Sequence, residues 1–211
     1  MTLTVIFAIA IALGLGAALP QTQHPTCKDV AQVEGVSCLD FTGSDGVPTA
    51  MFMNAGSFTP HRERDLVAAN WGYTNNDEHL CQDDYLYFDR HDKNSPSADE
   101  CARVRDWLRA NKGRFYVNDG MQQIQTWTPL VWTDGCAFVT NSPGNPSANG
   151  YYLGNKDVGD VVDDAVTNHA KDGKVEGRGD RHCTDGGNNY VLVKFWLLAT
   201  DSIPNTHQPG T

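Results

Sequence analysis

The sequence predicts an α+β domain: an antiparallel sheet with two α-helices packed on one face, stapled by disulfides. Three observations carry that expectation. Apolar residues recur at helical spacing in two segments, Cys101, Val104 and Leu108 in one and Val158, Val161, Val162 and Ala165 in the other. Short β-branched and aromatic runs lie between and after them, the strongest being Tyr190–Leu198, YVLVKFWLL. Six cysteines, an even number, are spread from Cys27 to Cys183. Helix, strands, helix, strands is the order of a sheet with its helices gathered on one side.

Each element has a local reason. Residues 3–19, LTVIFAIAIALGLGAAL, carry no charge, and the first charged residue is Lys28. The run is short of the roughly 20 residues that span a bilayer. The small residues Gly16, Ala17 and Ala18 then precede Leu19-Pro20, so residues 1–18 read as a secretory signal cleaved near Ala18. Residues 19–80 are broken by Gly, Pro, Ser, Thr and Asn and read as an irregular extension. Within it Ala50-Met51-Phe52-Met53 suggests a short strand and 62–70 a turn or two of helix. Ser97-Ala98-Asp99-Glu100 has capping-box spacing, with Ser95-Pro96 as an alternative start, and predicts a helix over 97–111. Asp99 and Arg103 form an i,i+4 pair on its wet side, and Gly113 supplies a stop.

Phe115-Tyr116-Val117 signals a strand, and Asn118-Asp119-Gly120 a turn. Residues 122–132 hold another strand, interrupted at Pro129. Residues 135–140 form the next, with Cys136 and Phe138 on one face. Residues 141–150, NSPGNPSANG, are loop by composition. Asn155 caps the second helix, whose apolar stripe ends on His169, with Asp157, Asp160, Asp163 and Asp164 on the other side and Gly173 as its end. Residues 174–178 suggest a strand and 183–189 a turn. The near-continuous apolarity of 190–198 suggests a central strand covered on both faces, or nearly so. Residues 81–200 then make the domain and 201–211 a loose tail.

Acidic residues exceed basic ones by 26 to 16, a formal net charge of −10. That argues against nucleic acid and against an anionic membrane surface, both of which need clustered basic charge. No second long apolar run follows residue 19, so stable membrane insertion of the mature chain is not expected. An exported chain with Cys27, Cys38, Cys81, Cys101, Cys136 and Cys183 suggests three disulfides. Six cysteines admit 15 pairings, and the sequence alone does not choose among them. The element order suggests one hypothesis: Cys101 reaches Cys136 on a strand beneath it, Cys81–Cys183 closes the domain, and Cys27–Cys38 is a local bridge.

Reactive constellations are sparse. There is no G-x-S-x-G elbow, no H-E-x-x-H and no phosphate loop, since Gly154-x-x-x-x-Gly159 lacks the following Lys-Ser/Thr. His61, His79, His91, His169 and His182 are scattered, and His169 on the apolar stripe reads as a core or helix-end histidine. The acidic pairs Asp83-Asp84 and Asp163-Asp164 are adjacent in sequence. Helical neighbours point about 100° apart, so Asp163 and Asp164 cannot face one substrate atom together. Asp157, Asp160 and Asp164 approaching one cation is a weaker reading than a solvated acidic helix face. Arg178-Gly179-Asp180 spells an adhesion tripeptide, a signal three residues long. Trp71, Trp127 and Trp132 are candidates for a sugar-stacking platform or for ordinary packing. No catalytic, cofactor or metal residue is assigned, and no cofactor is expected.

The stretch from Cys81 to about Leu198 resembles the necrosis-inducing factor family of secreted fungal effectors. The resemblance rests on Cys81; on Asn94-Ser95-Pro96 leading to Glu100-Cys101; on Gly135-Cys136-Ala137-Phe138-Val139; on Leu153-Gly154-Asn155-Lys156-Asp157-Val158; and on Gly177 to Gly179, Cys183 and the closing strand. Glu-Cys stands where the family more often has Asp-Cys, and 19–80 falls outside the match. The resemblance implies a small, exported, disulfide-stapled, non-enzymatic protein that provokes host cell death or is sensed by the host. The element order is also similar to the smut-fungus viral killer-toxin fold, in architecture only. The expected function is therefore a secreted effector acting by surface recognition, monomeric, with an unidentified host or microbial surface protein as partner. An antimicrobial toxin acting on ion transport and a cell-wall carbohydrate-active enzyme or binder are the alternatives.

Overall fold

Ser97 starts the first helix: its backbone is extended and its hydroxyl accepts the Glu100 amide at 3.2 Å. Helix α1 (Ala98–Ala110) ends on Asn111, whose backbone N–H and side-chain amide both donate to the Trp107 carbonyl at 2.9 Å. Gly113 is therefore not the stop. It begins a strand, where a side chain would lie 2.4 Å from the Gly72 carbonyl oxygen. The protein is described by a computed structural model over residues 24–30, 36–54, 68–118, 127–141 and 150–203.

Two antiparallel sheets and two helices make up this α+β fold. The strands are β1 (Val36–Thr42), β2 (Pro48–Asn54), β3 (Ala68–Tyr73), β4 (Cys81–Asp89), β5 (Gly113–Asn118), β6 (Thr128–Trp132), β7 (Ala137–Asn141), β8 (Tyr151–Gly154), β9 (Gly177–Thr184) and β10 (Tyr190–Leu198). Helix α2 is Asn155–Asn168. The larger sheet runs β1-β2-β6-β7-β10-β9-β4, and the smaller β3-β5-β8. Trp107 and Leu108 of α1, Val158, Val161 and Val162 of α2, Phe115 and Leu153 of the small sheet, and Val193 and Phe195 of β10 share one core. The two helices approach closely at Gly159, where a side-chain carbon would sit 3.6 Å from Leu108 Cβ.

Part of the extension read as irregular is strand. Residues 36–54 form the β1–β2 hairpin, and β2 joins the large sheet by pairing Phe52 with Trp132 and Met53 with Val131. Residues 68–73, partly read as helical, form β3 against β5. The local sequence hides this because each strand is short, and the strands that tie β2 and β3 into the fold, β6 and β5, lie tens of residues away. Arg103 is a second correction. It does not face water beside Asp99 but is buried, with Nε donating to Asp45 Oδ2 at 2.9 Å and Nη1 to Glu100. The turn between β1 and β2 brings Asp45 there.

Helix α2 starts at Asn155, with Gly154 as its cap, and closes on His169, whose amide donates to the Ala165 carbonyl at 3.1 Å. Gly173, at φ 71°, instead shapes the tight turn between Lys171 and Lys174. Strand β9 begins and ends later than 174–178, and it takes Cys183 and Thr184 from the expected turn. Strand β10 lies between β7 and β9, but only its end is covered on both faces: Leu197 and Leu198 are fully buried while Lys194 is exposed. Its even-numbered residues turn away from the helices. Thr200–Ser202 form one 3-10 turn, tied by the Thr200 hydroxyl to the Thr133 carbonyl at 2.8 Å.

The disulfides are Cys27–Cys38, Cys81–Cys183 and Cys101–Cys136. No helix among the described residues is long and apolar enough to cross a membrane. The signal segment 1–18, residues 62–67, the turn at 119–120, residues 142–149 of the expected loop and the tail beyond 203 lie outside the described residues.

Candidate functional site: a cation-lined groove on the uncovered sheet face

The residues that carried the resemblance turn out to build scaffold. Asp157 is buried at the start of α2 and accepts the amides of Gly154 at 2.6 Å, Leu80 at 2.8 Å and Cys81 at 3.2 Å. Burial raises its pKa; the amides, the Arg181 guanidinium at 3.6 Å and His79 at 3.3 Å pull the other way. Asn155 accepts the Glu78 amide at 2.8 Å and donates to the Leu108 carbonyl at 3.2 Å and to Asp77 at 2.9 Å. These two side chains clamp the approach to β4 onto both helices. Gly154 must lack a side chain because one would collide with the Glu78 carbonyl. Gly135 lies against the Glu100 side chain, and Thr133 donates to Glu100 at 2.8 Å, so the Cys101–Cys136 bridge sits beside a polar latch. Ser95 links a loop amide, from Asp92 at 2.8 Å, to Glu176 at 2.7 Å.

The ionisable candidates are dispersed. His169 ends α2 with Nδ1 2.8 Å from Asp89, Nε2 3.5 Å from Asp164 and its ring against Tyr87. Lys171 donates to Asp89 and, with His169, holds that carboxyl below the usual range. Burial raises Asp164, but hydrogen bonds from Asn168 and Tyr85 and the nearby His169 outweigh it, so it too is held low. No nucleophilic serine or cysteine joins this pair among the described residues. Asp83 is fully in solvent beside His79, and Asp163 pairs with Arg105 and Arg109. Asp157, Asp160 and Asp164 do not converge. One group among the described residues has converging ligand atoms, His24, Glu100 and Asp134. The Arg103 guanidinium already lies on it, bonded to Glu100 and 3.3 Å from His24, and so holds the place of a cation. His91 has a buried Nε2 without a partner among the described residues, His182 is exposed on β9, and His61 lies outside the described residues.

The tryptophans separate as well. Trp71 packs on Trp107 and Phe115 at 5.0 and 4.6 Å, on the helix side. Trp132 stacks on Phe52, and Trp127 meets Trp196 at 5.6 Å, both on the opposite face of the large sheet. Among the described residues no helix packs on that face, where Ala137, Val139 and Leu198 are buried against Trp127, Trp132 and Trp196.

There the register aligns two rows of side chains. One runs Phe88, Arg178, Trp196, Val139 across β4, β9, β10 and β7; the next runs Leu86, Asp180, Lys194, Asn141. Arg90 follows Phe88 by two residues. Together with Trp127 these enclose a groove of about 420 Å³ lined by Phe88, Arg90, Trp127, Arg178, Asp180 and Lys194. Its floor is close-packed: a side chain at Gly179 would strike the Leu86 carbonyl at 1.8 Å and the Phe195 ring at 2.3 Å.

Arg178 sits in the middle. Its guanidinium carbon is 3.3 Å from the Trp196 ring centroid and 5.8 Å from that of Trp127, and its buried Nε has no hydrogen-bond partner among the described residues. Burial, then the neighbouring Arg90 charge, lowers its pKa; Glu176 opposes both. Glu176 itself accepts the Trp196 indole N–H at 3.1 Å and the Ser95 hydroxyl. The tripeptide Arg178-Gly179-Asp180 is thus mid-strand, with β4 and β10 paired on either side, and not at a loop tip. Sequence reading missed Arg90, Lys194 and Trp196. The signal for Lys194 was its break in an apolar run; Trp196, two residues on, shares its face.

Residues 80–183 match the model of the Hce2 family, described as "Pathogen effector; putative necrosis-inducing factor", and the domain they form belongs to that family of pathogen effectors. No curated protein matches the chain. The family and the three disulfides are consistent with an extracellular protein. Arg90 and Arg178 fall inside the matched span; Lys194 and Trp196 fall beyond it.

Proposed function

We propose that the protein is a secreted, non-enzymatic effector that works by binding a target across the outer face of its large sheet, centred on the Arg178 groove. The observation that carries this reading is the contrast between the two faces. Among the described residues the carboxylate clusters near the helices have internal partners in Arg103, Lys171, Arg105 or backbone amides. The outer face instead presents Leu86 and Phe88 more than half exposed, beside cations that bond to no described side chain. Exposed apolar surface next to unpaired charge is a recognition surface in search of a partner. The family supports an effector role at a host boundary; cell death or host sensing is the expected outcome.

Infiltration of the purified, oxidised protein into leaf tissue of several hosts, over a dose series, tests this. Local cell death or a defence response in at least one host is expected, together with no turnover of a panel of glycans, peptides and esters. Silence in every host, or turnover lost on an Asp→Asn substitution, overturns it.

A further inference from the structure

The groove's chemistry narrows what it can hold. Arg90, one residue past the end of β4, and Arg178 and Lys194 on β9 and β10 occupy successive rows along the groove. Rows are two residues apart and strands about 4.8 Å apart, so neighbouring cations follow a diagonal with steps of about 8 Å. Two carboxylates adjoin it. Glu176 has both oxygens engaged, and Asp180 is the one that lines the groove. A cationic track on a chain of net charge −10 is a local reversal of the molecule's field. It favours a ligand whose negative charges recur at a spacing like that of the cations.

The backbones of β9 and β10 are paired on both sides, so at the centre of the groove recognition falls to side chains; β4, beside Phe88, is the edge strand of the sheet. The side chains on offer are the exposed aromatic ring of Phe88, the three cations, and the hydrogen-bonding groups of Asn141 and Asp180. Pyranose rings stack their C–H faces on aromatic rings, their hydroxyls bond to amide and carboxylate groups, and uronic acids place one carboxylate on each sugar. We propose that the groove binds a linear carboxylated polysaccharide, a polyuronate, through Arg90, Arg178 and Lys194. The inference rests on the recognition role proposed above and names its ligand class.

Titration calorimetry of the oxidised full-length mature protein tests it, with oligogalacturonate, its methyl ester and oligothymidylate as probes. Oligogalacturonate binds, and binding weakens as salt is raised. The methyl ester binds about tenfold more weakly or not at all. The exposed-residue variant Arg90→Glu/Lys194→Glu keeps its melting temperature and loses about tenfold in affinity. No binding of oligogalacturonate, equal binding of the ester, or tighter binding of oligothymidylate overturns the inference. If the glycan fails while the same variant loses the tissue response, the ligand class is wrong and the recognition role stands. If the glycan binds while the variant keeps its full tissue response, the groove holds polyuronate and the recognition role fails.

Discussion

Asp157 shows how one side chain can hold three segments together. It accepts amides from Gly154, Leu80 and Cys81 and faces Arg181, which in turn donates to the carbonyls of Asp157 and Gln82 at 2.8 and 2.6 Å. Replacing it with Asn leaves Arg181 buried without its charge partner. Asp157→Asn is expected to cost about 3–5 kcal/mol in chemical denaturation, because breaking one side of a buried pair strands the other. Gly179→Ala is expected to cost about 3 kcal/mol by the same measurement, since its added carbon meets both backbone and the Phe195 ring. Legibility at this scale follows distance along the chain. Ser97 was readable because capping chemistry acts over three residues. The inward turn of Arg103 was not, because its partner Asp45 is 58 residues away. Trp196 and Lys194 were hidden inside a run whose apolarity suggested burial on both sides.

At the scale of elements, helices were the more readable. Periodicity placed α1 and α2 to within a residue or two at most ends, because it records which side meets the core. β1 and β3 went unread because a short strand is made by its partner: β3 pairs with distant β5, and β1 pairs with its hairpin neighbour β2, which joins the sheet through distant β6. The acidic side of α2 proves to be an anchorage. Asp164 ties it to Tyr85 of β4 at 2.8 Å, and His169 ties its end to Asp89. Both carboxyls are held below their ordinary pKa, so each favours the folded state when ionised. Their contribution is complete above the ordinary carboxylate range near pH 4 and is lost as pH falls through the lower folded values. Melting temperature is therefore expected to drop between about pH 4 and pH 2, and Asp164→Asn is expected to flatten part of that drop. An unchanged profile in the variant would contradict the anchorage.

For the whole molecule, two structural themes meet. Three disulfides and a single core shared by two helices and two sheets hold a rigid frame. Among the described residues no helix packs on the outer face of the large sheet, and that face carries the groove. Removing the buried Cys101–Cys136 bridge, which spans 35 residues, with a double Cys→Ser change is expected to cost about 2–5 kcal/mol in denaturation. Export is expected to leave a mature chain beginning near Leu19, checked by sequencing the N-terminus of the secreted product; an uncleaved chain would contradict the signal reading. The acidic balance of the sequence argued against nucleic acid and an anionic membrane surface. That balance is an average over the whole chain, and an average does not show where Arg90, Arg178 and Lys194 gather at one groove.

The central claim is that the groove, and not the fold's stability, carries activity. A dose–response of leaf-tissue cell death, comparing the native protein with Arg90→Glu/Lys194→Glu at matched melting temperature, tests it most directly. A variant that is equally stable but inactive, or displaced to much higher dose, is the result this account predicts. A variant that kills tissue at the same dose as the native protein would contradict it.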